Sequence, residues 1–380
     1  QSWWRLVGRS HAWLVRYFER KVSMNKYLVL GVLAGTLFSC GDGDFGKDLL
    51  DEINQNQSIN NETMNAFSGR PVVFYNVENL FDTKNDPRTN DEDFTPYGYK
   101  EWDEDRYETK LERIEDALSE FQKAPILIGL AEVENRAVLK DLVEEGDFDE
   151  TNYGIAHFDS PDRRGIDVAL LYDQDAFTLT SSTKLRVRLA NNPGFATRDI
   201  LYGVGELAGG VKTHVFVNHW SSRREGQMET EHKRLKAAET LREKVDEILG
   251  QNRDANIIIL GDFNDHPTDK SLQTVLRAKE SGYEGEGDLI NLLFDEHTNG
   301  EGTAVHRGDW AVLDQIIISQ AIYDRKSGLG IKGNDAEIHW EEDLIFKNRS
   351  TGEEKPNATY GGRKYYGGYS DHLPVYIILK

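Results

Sequence analysis

The chain has 380 residues, 38% of them hydrophobic and 10% aromatic, enough for a large buried core. Its formal net charge of −21 argues against a protein that grips nucleic acid by overall charge alone. Its single cysteine, Cys40, excludes an internal disulfide.

In chain order, the first readable segment begins at Met24 with MNKYLVLGVLAGTLFSC. It has a short basic start, an apolar run from Tyr27 to Phe38, and the ending Leu37-Phe38-Ser39-Cys40. The run is too short for a mature membrane-spanning helix and fits the core of a signal peptide. Its ending resembles a bacterial lipobox, where cleavage leaves the cysteine as a lipidated N-terminus. A buried apolar helix with an incidental cysteine is the competing reading. The polar stretch that follows, GDGDFGKDLLDEINQNQSINNE, has the composition of a tether and favours the lipid anchor. On that reading residues 1–23 are an upstream extension or a translation-start artefact, and 24–39 are the signal peptide. Residues 40–70 are then the tether and 71–380 a single large domain.

From Pro71 strand-like and helix-like patterns alternate without an internal linker. VVFYNV reads as a buried strand. The spacing of Tyr107, Leu111, Ile114, Leu118 and Phe121 predicts a helix over 104–121. ILIGLAEV is strand-like, Asn135 to Glu144 a short helix, and IDVALLYD a strand. LYGVGEL and VKTHVFVNHW flank Ala208-Gly209-Gly210 as a hairpin. A second long helix is predicted over 229–249, with Leu235, Ala238, Leu241, Val245 and Ile248 facing inward. NIIILGDF, WAVLDQIIIS and YSDHLPVYIIL supply the last strands. Hairpins mix with crossovers, so the class is α+β with sheets that are not purely parallel.

Polar side chains gather at the ends of these strands: Asn76, Glu78, Glu132, Glu134, Asp167, His219, Asp262, Asn264, Asp314, Asp371 and His372. Each alone has an ordinary explanation as a turn, a helix cap or a satisfied core histidine. Their combination is what matters. Carboxylate and amide oxygens suit a hard cation such as Mg²⁺, and no cysteine pair or histidine cluster competes for zinc. His219 and His372 have candidate carboxylate partners in Asp167 and Asp314, an arrangement suited to proton transfer.

YNVEN, LAEVEN, GIDVALLY, VNHW, GDFND, LDQIIIS and SDHLPV stand in the order of the endonuclease/exonuclease/phosphatase superfamily, and the chain resembles deoxyribonuclease I over roughly residues 71–380. The resemblance implies a four-layer sandwich, two packed mixed β-sheets flanked by helices, with the site at one end. It implies Asn76 and Glu132 as metal ligands, Asp371 near the metal, and Asp262 and Asn264 on the phosphate side or at a second metal. It makes His219 and His372 the paired imidazoles, with Asp314 orienting His372 and Asp167 partnering His219. Glu132 is preferred to Glu134 because it ends the family's strand motif. The cofactor implied is Mg²⁺, with Mn²⁺ or Ca²⁺ as substitutes. Arg164, Arg198 and Arg223 are candidate phosphate contacts, since guanidinium forks suit phosphate, with solvated surface charge as the alternative. Asp265 and His266 read as the turn after this cluster, with Pro267 leading into a helix at Asp269.

These implications point to a metal-dependent phosphodiesterase, an endonuclease acting on DNA or RNA. It is expected to be a monomer, anchored through Cys40 to a bacterial membrane, the outer one, outside the cytoplasm. A phosphatase or a phospholipid or inositol-phosphate phosphodiesterase is the alternative within the fold. A non-catalytic surface-binding lipoprotein is the alternative from another class, and two His–Asp pairs argue against it.

Overall fold

Continuous apolar runs such as VVFY and IIIL are what strands need when both of their faces are covered. The computed structural model, which describes residues 67–306 and 308–380, bears that out. The first sheet runs, edge to edge, through Glu337–Ile338 (β14), Val375–Ile378 (β19), Pro71–Leu80 (β1), Leu127–Val133 (β2), Asp167–Asp173 (β4) and Tyr153–His157 (β3). The second runs through Phe177–Leu185 (β5), Ile200–Leu207 (β6), Val211–His219 (β7), Asn256–Asp262 (β8), Asp314–Ser319 (β13), Leu289–Asn291 (β10) and Ala278–Lys279 (β9). Both are mixed: β1 is parallel to β2, β7 to β8 and β10 to β9, and the other neighbours are antiparallel. Three short ribbons, Ala304–His306 with Asp309–Ala311 (β11, β12), Ile345–Lys347 with Glu354–Pro356 (β15, β16) and Tyr360–Gly361 with Lys364–Tyr365 (β17, β18), complete the strands.

The two-residue period of a strand divides each apolar run between two cores. Val72 and Phe74 of β1 meet Ile258 and Leu260 of β8 between the sheets. Val73, Tyr75 and Val77 point the other way, onto Leu111, Ile114 and Leu118 of the helix Glu104–Ser119 (α1) and Leu139 and Leu142 of Arg136–Val143 (α2). Ile257 and Ile259 face Ala238, Leu241, Val245 and Ile248 of Gln227–Gln251 (α3). The layers are therefore helix, sheet, sheet, helix. Asp103 and Asn135 start α1 and α2 by accepting backbone N–H groups that the first turn leaves unpaired.

Several expectations shift. Phe121 lies beyond the end of α1 and stacks on His339. Leu235 is only half-buried, and Arg234 is the inward residue of that turn of α3. WAVLDQIIIS breaks into β12 and β13, while Asp371 and His372 precede β19 instead of opening it. The sequence from Pro267 forms a π-helical segment at Ser271–Leu276, later than the helix start expected at Asp269. Among the described residues ahead of Pro71, Phe67 is buried, Gly69 donates to the Leu379 carbonyl, and Arg70 Nη1 lies 2.5 Å from Asp173. The chain divides into units of residues 1–62 and 63–380. The extension at 1–23, the signal peptide at 24–39, Cys40 and the tether up to 66 lie outside the described residues. Among the described residues no helix is long and apolar enough to cross a membrane.

Candidate active site

Strand register assembles the site. Asp262, the last residue of β8, has His219 as its partner on β7 and Asp314 as its partner on β13. The other sheet supplies Asn76 and Glu132, where the parallel pairing of β1 and β2 breaks down. Register shifts fall between Asn76 and Leu80 and between Ala131 and Val133. Glu78, Asn79 and Glu132 there adopt positive φ (48°, 62° and 66°), as does Asn264 just past β8 (51°). Four non-glycine residues in left-handed conformations around one strand end mark stored strain, and irregular strand ends re-aim the side chains they carry.

Asn76 bridges the sheets: its Nδ2 donates to Asp262 Oδ2 at 3.1 Å, and its Oδ1 accepts from the Glu78 backbone N–H. Asn264 closes the other side of Asp262, donating from its backbone N to Oδ1 (2.9 Å) and from Nδ2 to Oδ2 (3.1 Å). Burial, with the Asp314 charge adding to it, pushes the Asp262 carboxyl up to about 7.

The two imidazoles sit in opposite electrostatic settings. His372 Nδ1 lies 2.6 Å from Asp314 Oδ2, and that oxygen also accepts from Thr303 Oγ1 at 2.5 Å. Burial opposes charge on His372, but Asp314, Asp371 and Asp262 outweigh it and hold the ring well above its usual range. His219 is held well below that range by burial, Arg198, Arg164 and His372. Its Nε2 lies 3.4 Å from Asp262 Oδ2 and 3.8 Å from Glu132 Oε1, and its buried Nδ1 has no partner. The surroundings favour charge on His372 and oppose it on His219, with Asp262 beside both.

Asp167 does not partner His219. It stands at the head of β4, next to the edge strand β3, where its Oδ2 lies 3.1 Å from His157 Nε2 and its Oδ1 accepts from the Ser160 backbone N–H. His157 was missed because a lone histidine ten residues upstream carries no motif. Arg198 and Arg223 are not free for phosphate either. Arg198 is buried against Asp162 at 3.0 Å and donates to the Trp220 carbonyl. Arg223 is held by Asp265 at 2.9 Å, by Asp269 and by the Asn264 carbonyl. Both fix the loops that carry the site. Arg164 remains half-exposed, 4.0 Å from Glu132.

Glu132 points at His219 and Arg164, whereas Glu134 accepts the Asp82 backbone N–H and burial pushes its carboxyl up to about 7. Asp371 is 58% exposed, its Oδ1 4.0 Å from His372 Nε2. Asp265 is more than a turn residue: it is buried, with Arg234 Nε at 2.7 Å and Ser271 Oγ donating to it. Sequence reasoning also missed Thr303, which anchors Asp314, and Ser370, whose Oγ donates to the Asn76 carbonyl at 2.6 Å. It likewise missed the fully buried Lys110, which donates to Thr359 and Tyr369 behind Glu78. Thr303 and Lys110 belong to none of the quoted motifs, and Ser370, although it opens SDHLPV, gives no sign in the sequence of its bond to Asn76.

The donor set fits a hard divalent cation. Glu132, Asp262, Asp314 and Asp371 crowd together, the charges of Glu132 and Asp314 help to push the Asp262 and Asp371 carboxyls up, and Asp314 Oδ1 is buried without a partner. Ligand atoms of Asp262, Asp314 and His372 lie within 4.8 Å of one another. Because Asp314 and His372 are already bonded to each other, the exposed carboxylate of Asp371, with Glu132 and the Asn76 side-chain oxygen deeper in the site, is better placed to hold an ion.

The chain matches the family model described as "Endonuclease/Exonuclease/phosphatase family" over residues 71–380. A search of curated proteins gives no match. Among solved structures, an endonuclease/exonuclease/phosphatase from Bacteroides vulgatus is 14% identical, with a TM-score of 0.51, covering 82% of this chain and 98% of that one. The mannosyl-6-phosphatase of Bacteroides thetaiotaomicron is 16% identical, with a TM-score of 0.50 and coverage of 82% and 99%. Humanized TDP2 of D. rerio is 15% identical, also with a TM-score of 0.50, covering 82% and 98%. At such identities the likeness is one of fold.

Proposed function

The chain belongs to the endonuclease/exonuclease/phosphatase family, a generally hydrolytic fold, and on that premise we propose that it is a metal-dependent phosphodiester hydrolase acting on nucleic acid. The observation that carries the proposal is the pair of oppositely set imidazoles flanking Asp262. Two titratable groups pushed apart by their surroundings divide acid and base roles between them.

Water attacks phosphorus as the P–O bond to the leaving oxygen breaks. The proton lost by the water goes to the His219–Asp262 pair, whose ring Nε2 lies 3.4 Å from Asp262 Oδ2 and 3.8 Å from Glu132 Oε1. The leaving oxygen takes a proton from His372, which Asp314 orients and keeps charged. Asn76, Glu132 and Asp371 would hold the cation, which when bound supplies positive charge to the phosphoryl oxygens. Arg164 can add a guanidinium to the same phosphate.

A basic, aromatic rim supports the nucleic acid substrate. Lys100 is within electrostatic range of Glu78, Asp371 and Arg224. Tyr99 and Tyr366 are about half-exposed, with Arg363 5.6 Å from the Tyr99 ring centroid and Lys364 4.8 Å from that of Tyr366. Exposed rings beside cations provide stacking surfaces for bases, and such a rim can work locally on an acidic protein. A second reading, hydrolysis of a small phosphate monoester, is favoured by one observation: with Arg198 and Arg223 held by buried carboxylates, the half-exposed Arg164, itself 3.4 Å from Asp162, is the one candidate arginine with surface to offer a phosphate. We include in the proposal a lipid anchor at Cys40 that keeps the enzyme on an extracytoplasmic membrane face. Two acyl chains give stable anchoring where one is marginal.

The test incubates the full chain and its His372→Ala variant with Mg²⁺ and plasmid DNA, RNA, sugar phosphates, inositol phosphates or sphingomyelin. Nicked plasmid or cut RNA with wild type alone supports the proposal. Phosphate release from monoesters alone replaces it with the second reading, and equal inertness of both proteins points to a binding lipoprotein. For the anchor, wild type is expected in the detergent phase and Cys40→Ser in the aqueous phase.

A further inference from the structure

Away from the strand-end carboxylates, the end of α1 meets the segment that follows the edge strand β14. Three side chains converge there: Glu120, the residue that caps α1, and His339 and Glu341 just past β14. One ligand atom from each lies within 4.8 Å of the other two. We propose that Glu120, His339 and Glu341 form a second divalent-metal site, of zinc type, distinct from the catalytic centre and beyond the reaction proposed above.

The buried histidine carries the inference. His339 is 7% exposed, and its Nε2 has no hydrogen-bond partner, although it points at Glu120 Oε2, 3.4 Å away. A buried ring nitrogen without a partner is costly, and a cation is the partner that would also suit the two carboxylates. The ring cannot readily turn away. It stacks on Phe121 at 4.6 Å between centroids and meets the edge of Tyr376 at 6.0 Å, while its backbone N–H is held by the Pro374 carbonyl.

The carboxylates point the same way. The charged neighbours of Glu120, namely Glu341, Asp343 and Asp116, are all acidic. Among the described residues no lysine or arginine forms an ion pair with Glu120 or Glu341. One imidazole with two carboxylates suits Zn²⁺ better than Mg²⁺, which prefers oxygen alone. Zinc bonds of about 2.0–2.2 Å need closer ligands than those seen, and both glutamates are exposed on rotatable side chains that can close the gap.

Such a site would tie α1 to an edge strand of two residues, the shortest kind of pairing in the first sheet. The segment it secures leads to Thr359 and Tyr360, whose backbone N–H groups bind Glu78 at the end of β1. Metal binding would therefore steady the wall of the catalytic centre from outside it.

The test dialyses the full chain against Zn²⁺ in excess Mg²⁺ and compares it with Glu120→Gln/Glu341→Gln, two exposed positions, and with His339→Phe, which preserves ring packing. Zinc at the catalytic centre is common to all three and cancels. Wild type is expected to hold one more zinc per chain than either variant, and Zn²⁺ is expected to raise its thermal midpoint but not theirs. Equal zinc content, or an equal thermal shift in all three proteins, would overturn the assignment.

Discussion

Only two residues separate Asp262 from Asp265, yet the two aspartates belong to different kinds of charged cluster. Asp265 meets Arg223 and Arg234 and accepts from Ser271, so its negative charge is matched on every side. Asp262 meets Asp314, Glu132 and two oppositely set histidines, with Asp314 Oδ1 and His219 Nδ1 left without partners. Both clusters are buried and both close off strand β8. The matched one is scaffold, because removing its partners only exposes unpaired charge. The unmatched one keeps unsatisfied capacity, which is what substrate, proton and cation can use.

The sharpest way to break this comparison is to strip the unmatched cluster. His372→Ala and His219→Ala are each expected to lower kcat by about 10²–10⁴ with unchanged circular dichroism. Asp314→Asn should approach the same loss, since it removes the charge that keeps His372 protonated. A variant with full activity would remove that residue from the mechanism.

Stripping the matched cluster should do the reverse. Arg234→Met leaves Asp265 buried with Arg223 as its remaining cation. Breaking a buried pair costs roughly 3–5 kcal/mol, and the surviving partner places this variant near the lower figure. Denaturant unfolding should record that loss while kcat per folded molecule stays near wild type. A collapse of kcat with stability intact would show that the two clusters are not separable.

A smaller contrast lies within LAEVEN. Glu132→Gln should lose activity that added Mg²⁺ partly restores, because a carboxylate brings charge to a hard cation that an amide cannot. Glu134→Gln should behave much like wild type, since it faces the Asp82 backbone N–H and not the histidines. The opposite ranking in Mg²⁺ titrations would reverse the assignment of the two glutamates.

The smallest expected effect concerns a third acidic group, unmatched but remote from the chemistry. Burial, with Asp335, Glu301 and Asp295 nearby, pushes Glu296 from 4.5 up to about 7. A carboxyl whose folded value is raised favours the native state when protonated. Its contribution is complete below about pH 4.5 and is lost as pH rises towards 7. Glu296→Gln should flatten the slope of stability over that window, and an unchanged slope would mean that other groups set it.

The sequence by itself determined the layers and most of the strand-end residues. Unbroken apolar runs demand two covered faces, and helical spacing in 104–121 and 229–249 supplies the covers. Strands also end where polar residues begin, so Asn76, Glu132, Asp262 and His372 were legible as candidates before any contact was known. Only the tertiary structure decided who partners whom. Asp167 marks a strand end as the others do, at the head of β4, but its place beside the edge strand gives it to His157. Arg198 and Arg223 have the chemistry for phosphate, yet buried carboxylates hold them, and no spacing in the chain announces those pairings. The roles of Thr303 and Ser370 were not legible, even with Ser370 inside SDHLPV, because each rests on a single hydroxyl meeting a group brought from elsewhere in the chain. Periodicity is a local property that one strand or helix can display. Hydrogen-bond and charge partnership depends on register and on how two sheets face each other, and that is fixed only when the chain has folded.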